Sequence, residues 1–151
     1  MEKILRTIQK HTPKKVYAFF QPLYHYALAV TGTTLYRKPS RHIHVIGVTG
    51  TKGKSSTTEF VNAVLEKAGK KTAILSTIRF KIGDTTQPNK YKMTMPGRFF
   101  TQKFLRDAVD ARCDYAIIEM TSEGARFHRH VGVGMDALIF TNLSPEHIES
   151  H

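Results

Sequence analysis

The sequence predicts an α/β fold: a mostly parallel sheet with flanking helices, preceded by a short helical segment. Three observations carry that prediction. From residue 43 onward, short apolar runs alternate with stretches of helical periodicity, the pattern of strands and helices in a parallel sheet. A glycine-bearing loop, Thr49-Gly50-Thr51-Lys52-Gly53-Lys54-Ser55, joins the first apolar run to the first helical stretch. Hydrophobic residues make up 40% of the 151 positions, enough for a folded domain and too many for a disordered chain.

The elements follow in order. Residues 1–40 read as a helical N-terminal segment separate from the rest, with Pro39-Ser40 marking the join to a domain over residues 41–151. Within the segment, residues 16–36 contain no Asp, Glu, Lys or Arg, yet Gln21, Pro22, His25, Gly32 and three threonines make them a poor membrane span. A buried or interfacial helix kinked at Pro22 fits better, and its aromatics would suit a lipid surface or a partner domain. Residues 43–48 form a strand. Residues 55–68 form a helix with Phe60, Val61, Val64, Leu65 and Ala68 at helical spacing, ended by Gly69. Residues 72–75 form a second strand. Residues 78–92, with Gly83-Asp84 and Pro88-Asn89, read as a hairpin or long loop. An amphipathic helix over 99–111 and buried strands over 114–120 and 136–141 complete the pattern.

Charge bounds the function. With 23 Lys and Arg against 12 Asp and Glu, the net charge of +11 suits anionic partners such as phosphorylated small molecules, anionic lipid or nucleic acid. No aromatic-basic platform supports a nucleic-acid partner, and none is expected. The one cysteine, Cys113, excludes an internal disulfide framework or a cysteine-rich metal site and is compatible with a cytoplasmic protein.

The loop carries the chemistry. Between a strand and a helix N-terminus, unpaired backbone N–H groups converge on one point and the helix dipole adds positive potential. Gly50 and Gly53 let the backbone approach phosphate oxygens, Lys54 can reach the β- and γ-phosphates of ATP, and Ser55 can ligate the accompanying Mg2+. The ordinary Walker spacing would place glycine where Val48 stands, so the loop is a compact variant. Glu119 ends the apolar run DYAIIE, where a carboxylate can meet that magnesium, and His147 could complete a second metal position.

Four motifs in order resemble the Mur ligases, the ATP-dependent enzymes that add amino acids to the muramic acid precursor of peptidoglycan. The loop TGTKGKSST is similar to the family's ATP loop. TMPG (94–97) is similar to its Thr-Thr-Pro substrate contact. EMTSEGARFHR (119–129) is similar to its Glu-Val-Ser-Ser-His-Ala-Leu segment with a following Arg, and TNLSPEHIESH (141–151) to its Thr-Asn-Leu and His motif. Together they point to the type that adds the third residue. The resemblance implies Lys54, Glu119 and His147 as catalytic residues, and Ser55, Glu119 and His147 as metal ligands. It implies Thr49, Gly50, Thr51, Lys52, Gly53, Lys54, Ser55, Ser56 and Asn142 around ATP. Thr94, Met95, Pro96, Ser122 and Arg129 would contact a UDP-muramoyl-peptide, whose carboxylate would be phosphorylated before an amino acid amine attacks it. Folylpolyglutamate synthetases and the ligases that amidate lipid-linked precursors are the alternatives within the superfamily, and a basic P-loop nucleotide-binding protein acting on nucleic acid is the alternative outside it.

The sequence departs from the pattern at several positions. Met95 stands for the second Thr, Thr121 for the first Ser, Glu123 for the His, and Glu146 and Glu149 for the usual aspartates. The family's uridine-binding N-terminal domain is not in the sequence, and the run TNLSPEHIESH ends the chain amid a polar motif. The expectation is therefore a fragment, competent to bind nucleotide and catalytically incomplete.

Overall fold

The computed structural model describes residues 14–91, 93–126 and 128–144, with side chains from residue 23 onward. Helix α1 (Lys14–Leu35) runs as one helix past Pro22. A short 3-10 turn (Pro39–Arg41) leads into β1 (His44–Thr49), α2 (Lys54–Lys67), β2 (Thr72–Leu75), β3 (Arg79–Ile82), β4 (Thr85–Pro88), α3 (Arg98–Asp110), β5 (Tyr115–Glu119), α4 (Ser122–Arg126) and β6 (Ala137–Phe140). The six strands form one sheet in the order β4-β3-β2-β5-β1-β6. β2, β5, β1 and β6 are parallel, and the β3–β4 hairpin is added antiparallel at the β2 edge. The α/β reading holds, and residues 78–92 include the hairpin.

Strand alternation sorts the side chains onto two faces. Val45, Ala73, Leu75, Phe80, Ala116 and Ile118 point toward α3, where Phe104, Leu105 and Ala108 meet them in the main core. Val48, Ile74 and Ile117 point toward α2 and pack with Val61 and Leu65. The expected apolar face of α2 is only half correct. Phe60 and Val64 are 71% and 69% exposed, while Thr58 and Asn62 are the buried residues of that helix. The inward face is polar because a hydrogen-bonded network lies beneath it: Asn62 Oδ1 accepts from Thr72 Oγ1 at 2.6 Å, Asn62 Nδ2 donates to Glu66, and Lys81 Nζ donates to both Thr72 Oγ1 and Glu66.

β6 also differs from the buried strand expected. Among the described residues it is an edge strand with one neighbour, and Leu138 and Phe140 are exposed. Asp136 fixes its start, accepting the Val45 N–H at 2.7 Å, a bond that holds the carboxylate below its ordinary pKa.

α1 is not held apart from the domain. His25, Leu28, Ala29, Gly32 and Thr33 form its inward face, and a β-carbon on Gly32 would sit 3.4 Å from the Phe99 ring of α3. Among the described residues no helix is long and apolar enough to cross a membrane.

Candidate active site

The parallel strands set the site's location. Their C-terminal ends open onto one edge of the sheet, and β1 and β5 lie side by side with Val48 in register with Glu119. The loop leaving β1 and the carboxylate ending β5 are therefore brought together by strand pairing alone.

The loop's glycines are sterically required. Gly50 has φ 134°, and a β-carbon there would lie 2.1 Å from Thr141 Oγ1 and 2.9 Å from the Asn142 carbonyl oxygen. Gly53 precedes α2 with φ 79°, the left-handed conformation that spares glycine alone its steric cost. Lys54 then begins the helix, and its ammonium folds back to donate to the carbonyls of Gly50 (2.8 Å) and Thr51 (2.9 Å). A phosphate entering the loop would compete for this ammonium.

Ser55 Oγ donates to Glu119 Oε2 at 3.0 Å. Glu119 is buried, and its two oxygens are further engaged by Thr77: the backbone N–H to Oε2 at 2.9 Å and the hydroxyl to Oε1 at 3.1 Å. The Thr77 hydroxyl also meets Thr94 Oγ1 at 2.8 Å. A carboxylate fixed by three donors beside a helix-initiating serine is a hard-oxygen donor set suited to Mg2+. Ser55 and Glu119, two of the three expected metal ligands, are thus together. The third, His147, lies outside the described residues.

The segment after β6 shapes the loop rather than standing free. Asn142 Oδ1 accepts the Lys52 N–H and its Nδ2 donates to the Lys52 carbonyl, both at 3.0 Å, while the Asn142 carbonyl accepts the Thr51 N–H. Thr141 Oγ1 donates to Lys52 O at 2.7 Å, and Ser144 N–H donates to Thr51 Oγ1 at 2.9 Å. Asn142, expected against ATP, acts in this structure as a clamp on the loop backbone. Thr49 closes β1 and accepts the Thr141 N–H through its carbonyl, and Ser56 is exposed on the first turn of α2.

The expected acceptor contacts divide. Thr94 faces the site through Thr77, Pro96 is half-buried, and Ser122 is exposed at the start of α4, whose first turn is capped by Thr121 Oγ1 accepting from the Gly124 N–H at 3.1 Å. Met95 requires a correction. The residue is 1% exposed and its side chain belongs to the core, so that side chain is not presented to a substrate. What it offers is its carbonyl, which accepts from Arg129 Nη1 at 2.9 Å. The Arg129 backbone is placed by its N–H bond to Gly124, after His128 turns the chain with φ 54°.

Thr77 is the residue of the site that the sequence did not single out. A polar residue just after the apolar run TAIL, at the C-terminal end of a strand, was the available signal for Thr77.

Comparison with known proteins agrees with this architecture. The Mur ligase middle domain family matches residues 48–151. A UDP-N-acetylmuramyl-tripeptide synthetase of Roseiflexus sp. (strain RS-1) is 39% identical over 127 residues, which are 83% of this chain and 25% of that protein. A UDP-N-acetylmuramoyl-L-alanyl-D-glutamate--2,6-diaminopimelate ligase of Clostridium botulinum is 39% identical over 125 residues, covering 83% of this chain and 26% of the relative. The chain thus spans about a quarter of the length of these relatives. A solved structure of a ligase of the latter name has the same fold, with a TM-score of 0.61 at 24% identity over 70% of this chain and 21% of that one. The matched span contains both the loop and the carboxylate that β1 and β5 bring together, and the chain belongs to the Mur ligase middle domain family.

Proposed function

We propose that this chain is the nucleotide-binding part of an ATP-dependent amide ligase that adds an amino acid to a UDP-N-acetylmuramoyl-peptide in the cytoplasm. The observation that carries the reading is the Ser55–Glu119 contact beneath a glycine-cradled loop. The loop N–H groups and Lys54 bind the triphosphate and offset charge on the transferring phosphoryl group. Ser55 and Glu119 hold Mg2+, which supplies Lewis-acid polarisation of the phosphate when bound. The acceptor's carboxylate oxygen displaces ADP from the γ-phosphorus, giving an acyl phosphate. The amino acid's amine then attacks the acyl carbon and expels phosphate. Thr94 and Pro96 border the place from which the carboxylate approaches.

Isothermal titration of the chain with Mg·ATP tests the nucleotide reading. Lys54→Ala is expected to weaken binding about 100-fold, and Glu119→Gln to remove the dependence of binding on Mg2+. Unchanged ATP affinity in Lys54→Ala would overturn the assignment of the loop.

The outer face of α1 favours one further contact. Leu23, Tyr26 and Val30 are exposed along one side of a helix that carries no charge between residues 16 and 36, and exposed Arg37, Lys38 and Arg41 follow it. An apolar face with a basic border suits an anionic lipid surface. Sedimentation with phosphatidylglycerol vesicles but not with phosphatidylcholine vesicles is expected, and sedimentation with neither would exclude it.

A further inference from the structure

We propose that the chain carries a second ligand site, for an uncharged heteroaromatic ring, in the cavity between the β3–β4 hairpin and α3. The cavity has a volume of about 390 Å³, and small-molecule sites span about 300–1,000 Å³. Strand alternation builds it. Phe80 and Ile82 of β3 stand opposite Gln87 and Thr85 of β4, so all four share the face of the sheet that α3 covers. From α3 come Phe100, Phe104 and the pair Lys103 and Asp107. Phe80 and Phe104 are 4% and 5% exposed and form the floor. The lining shares no residue with the phosphate loop or with Glu119, Thr77 and Thr94, so a molecule held there is not the nucleotide.

The walls call for a flat ring. The Phe80 and Phe100 ring centroids are 5.1 Å apart, Tyr91 meets Phe100 edge-on at 5.2 Å, and Tyr91 stands 6.0 Å from Phe80. Tyr91 nevertheless remains 57% exposed, an aromatic surface left in water at the mouth of an apolar cavity. A planar ligand entering there extends the aromatic cluster by further tilted or edge-on contacts and removes that surface from water.

The rim calls for a ligand without net charge. The chain as a whole carries +11, yet here Lys103 Nζ donates to Asp107 Oδ2 at 2.6 Å and the two charges offset one another. Lys81 also borders the cavity, but its ammonium is spent on the other face of the sheet, where it donates to Glu66 and Thr72. An anion would meet Asp107 and a cation would meet Lys103. Gln87 and Thr85, both exposed, add an amide and a hydroxyl, which donate to and accept from the polar edge of a heterocycle. A peptide strand added along β4 fits less well, because β4 is four residues long and ends at Pro88, which has no N–H to pair.

The chain contains no tryptophan, so indole fluorescence reports on an added probe alone. Indole, indole-3-acetate and tryptamine present one ring in neutral, anionic and cationic form. Each is titrated against the full chain, with and without saturating Mg2+ and a non-hydrolysable ATP analogue. A saturable blue shift is expected for indole, unchanged by the analogue, with weaker binding of both charged probes. Tyr91→Ser, at an exposed position, is expected to weaken indole about tenfold. Asp107→Asn, which leaves Lys103 uncompensated, is expected to strengthen indole-3-acetate about threefold. No saturation, an indole affinity unchanged in Tyr91→Ser, or displacement of indole by the ATP analogue would overturn the site. Tighter binding of a charged probe than of indole, or an indole-3-acetate affinity unaffected by Asp107→Asn, would overturn its assignment to an uncharged ligand.

Discussion

The face of the sheet under α3 is closed by a continuous apolar layer, whereas the face under α2 has Val48, Ile74 and Ile117 and then a chain of hydrogen-bonded polar groups. The two helices do different work. α3 is held by area, and small rotations about its axis cost little because hydrophobic contact is non-directional. α2 is held by directional bonds to two strands: Asn62 to Thr72, Glu66 to Lys81, and Glu59 to Arg79, whose Nε and Nη2 bind the two carboxylate oxygens at 2.9 and 2.6 Å. Those bonds fix the rotation of α2, and the rotation decides whether Ser55 reaches Glu119. The helix that brings Ser55 to Glu119 is locked by polar contacts, and the helix that only closes the core is not.

Breaking the apolar face gives the largest expected effect. Leu105 is fully buried in the α3 layer, and Leu105→Ala removes its packing and leaves a cavity. The expected loss is about 2–5 kcal/mol of unfolding free energy, measured by urea denaturation. Affinity for Mg·ATP in the folded fraction should stay as it was. A loss of nucleotide affinity as large as the loss of stability would show that the two faces are not independent.

The polar face gives a smaller effect with a pH signature. The hydrogen bond from Lys81 is the main cause that holds Glu66 below the ordinary glutamate pKa. A carboxylate whose pKa is depressed in the folded state contributes stability above its unfolded value, and that stability is lost as pH falls through the folded value. Glu66→Gln should therefore lower stability at neutral pH by about 1 kcal/mol, a figure reduced because the Glu66 side chain is 44% exposed. The difference between the two proteins should vanish in acid, below the folded pKa. A difference that persists there would mean the loss comes from packing and not from the charge on Glu66.

The same contrast explains what could be read in the sequence. The strand–loop–helix geometry at residues 49–55 was legible because Gly50, Gly53 and their context are local constraints. Glu119 was legible because it ends an apolar run. Thr77 was not, since its role depends on β2 lying beside β5, an adjacency set by sheet order rather than by chain order. Met95 was misassigned for a related reason. The motif implies a substrate contact at Met95, but the Met95 side chain lies in the α3 layer and its carbonyl accepts from Arg129.

Phe60 separates the two kinds of evidence most sharply, and it carries the smallest expected effect. Helical periodicity counts it as core, with Val61, Val64, Leu65 and Ala68. The structure leaves Phe60 and Val64 exposed, because Glu59, Asn62 and Glu66 bind β2 and β3 and so hold the other side of α2 against the sheet. If that rotation is correct, Phe60→Ser removes a side chain that is already in water. Its effect on stability should be within about 0.5 kcal/mol, against the several kcal/mol expected for truncating a buried phenylalanine. If the apolar pattern ruled instead, Phe60 would point at the sheet, Asn62 and Glu66 would leave Thr72 and Lys81, and Phe60→Ser would unfold the chain readily. Urea midpoints for Phe60→Ser and Val61→Ser measured side by side decide it. A near-native midpoint for the first and a large drop for the second require the polar network to set the helix, and equal drops would require that the apolar stripe does.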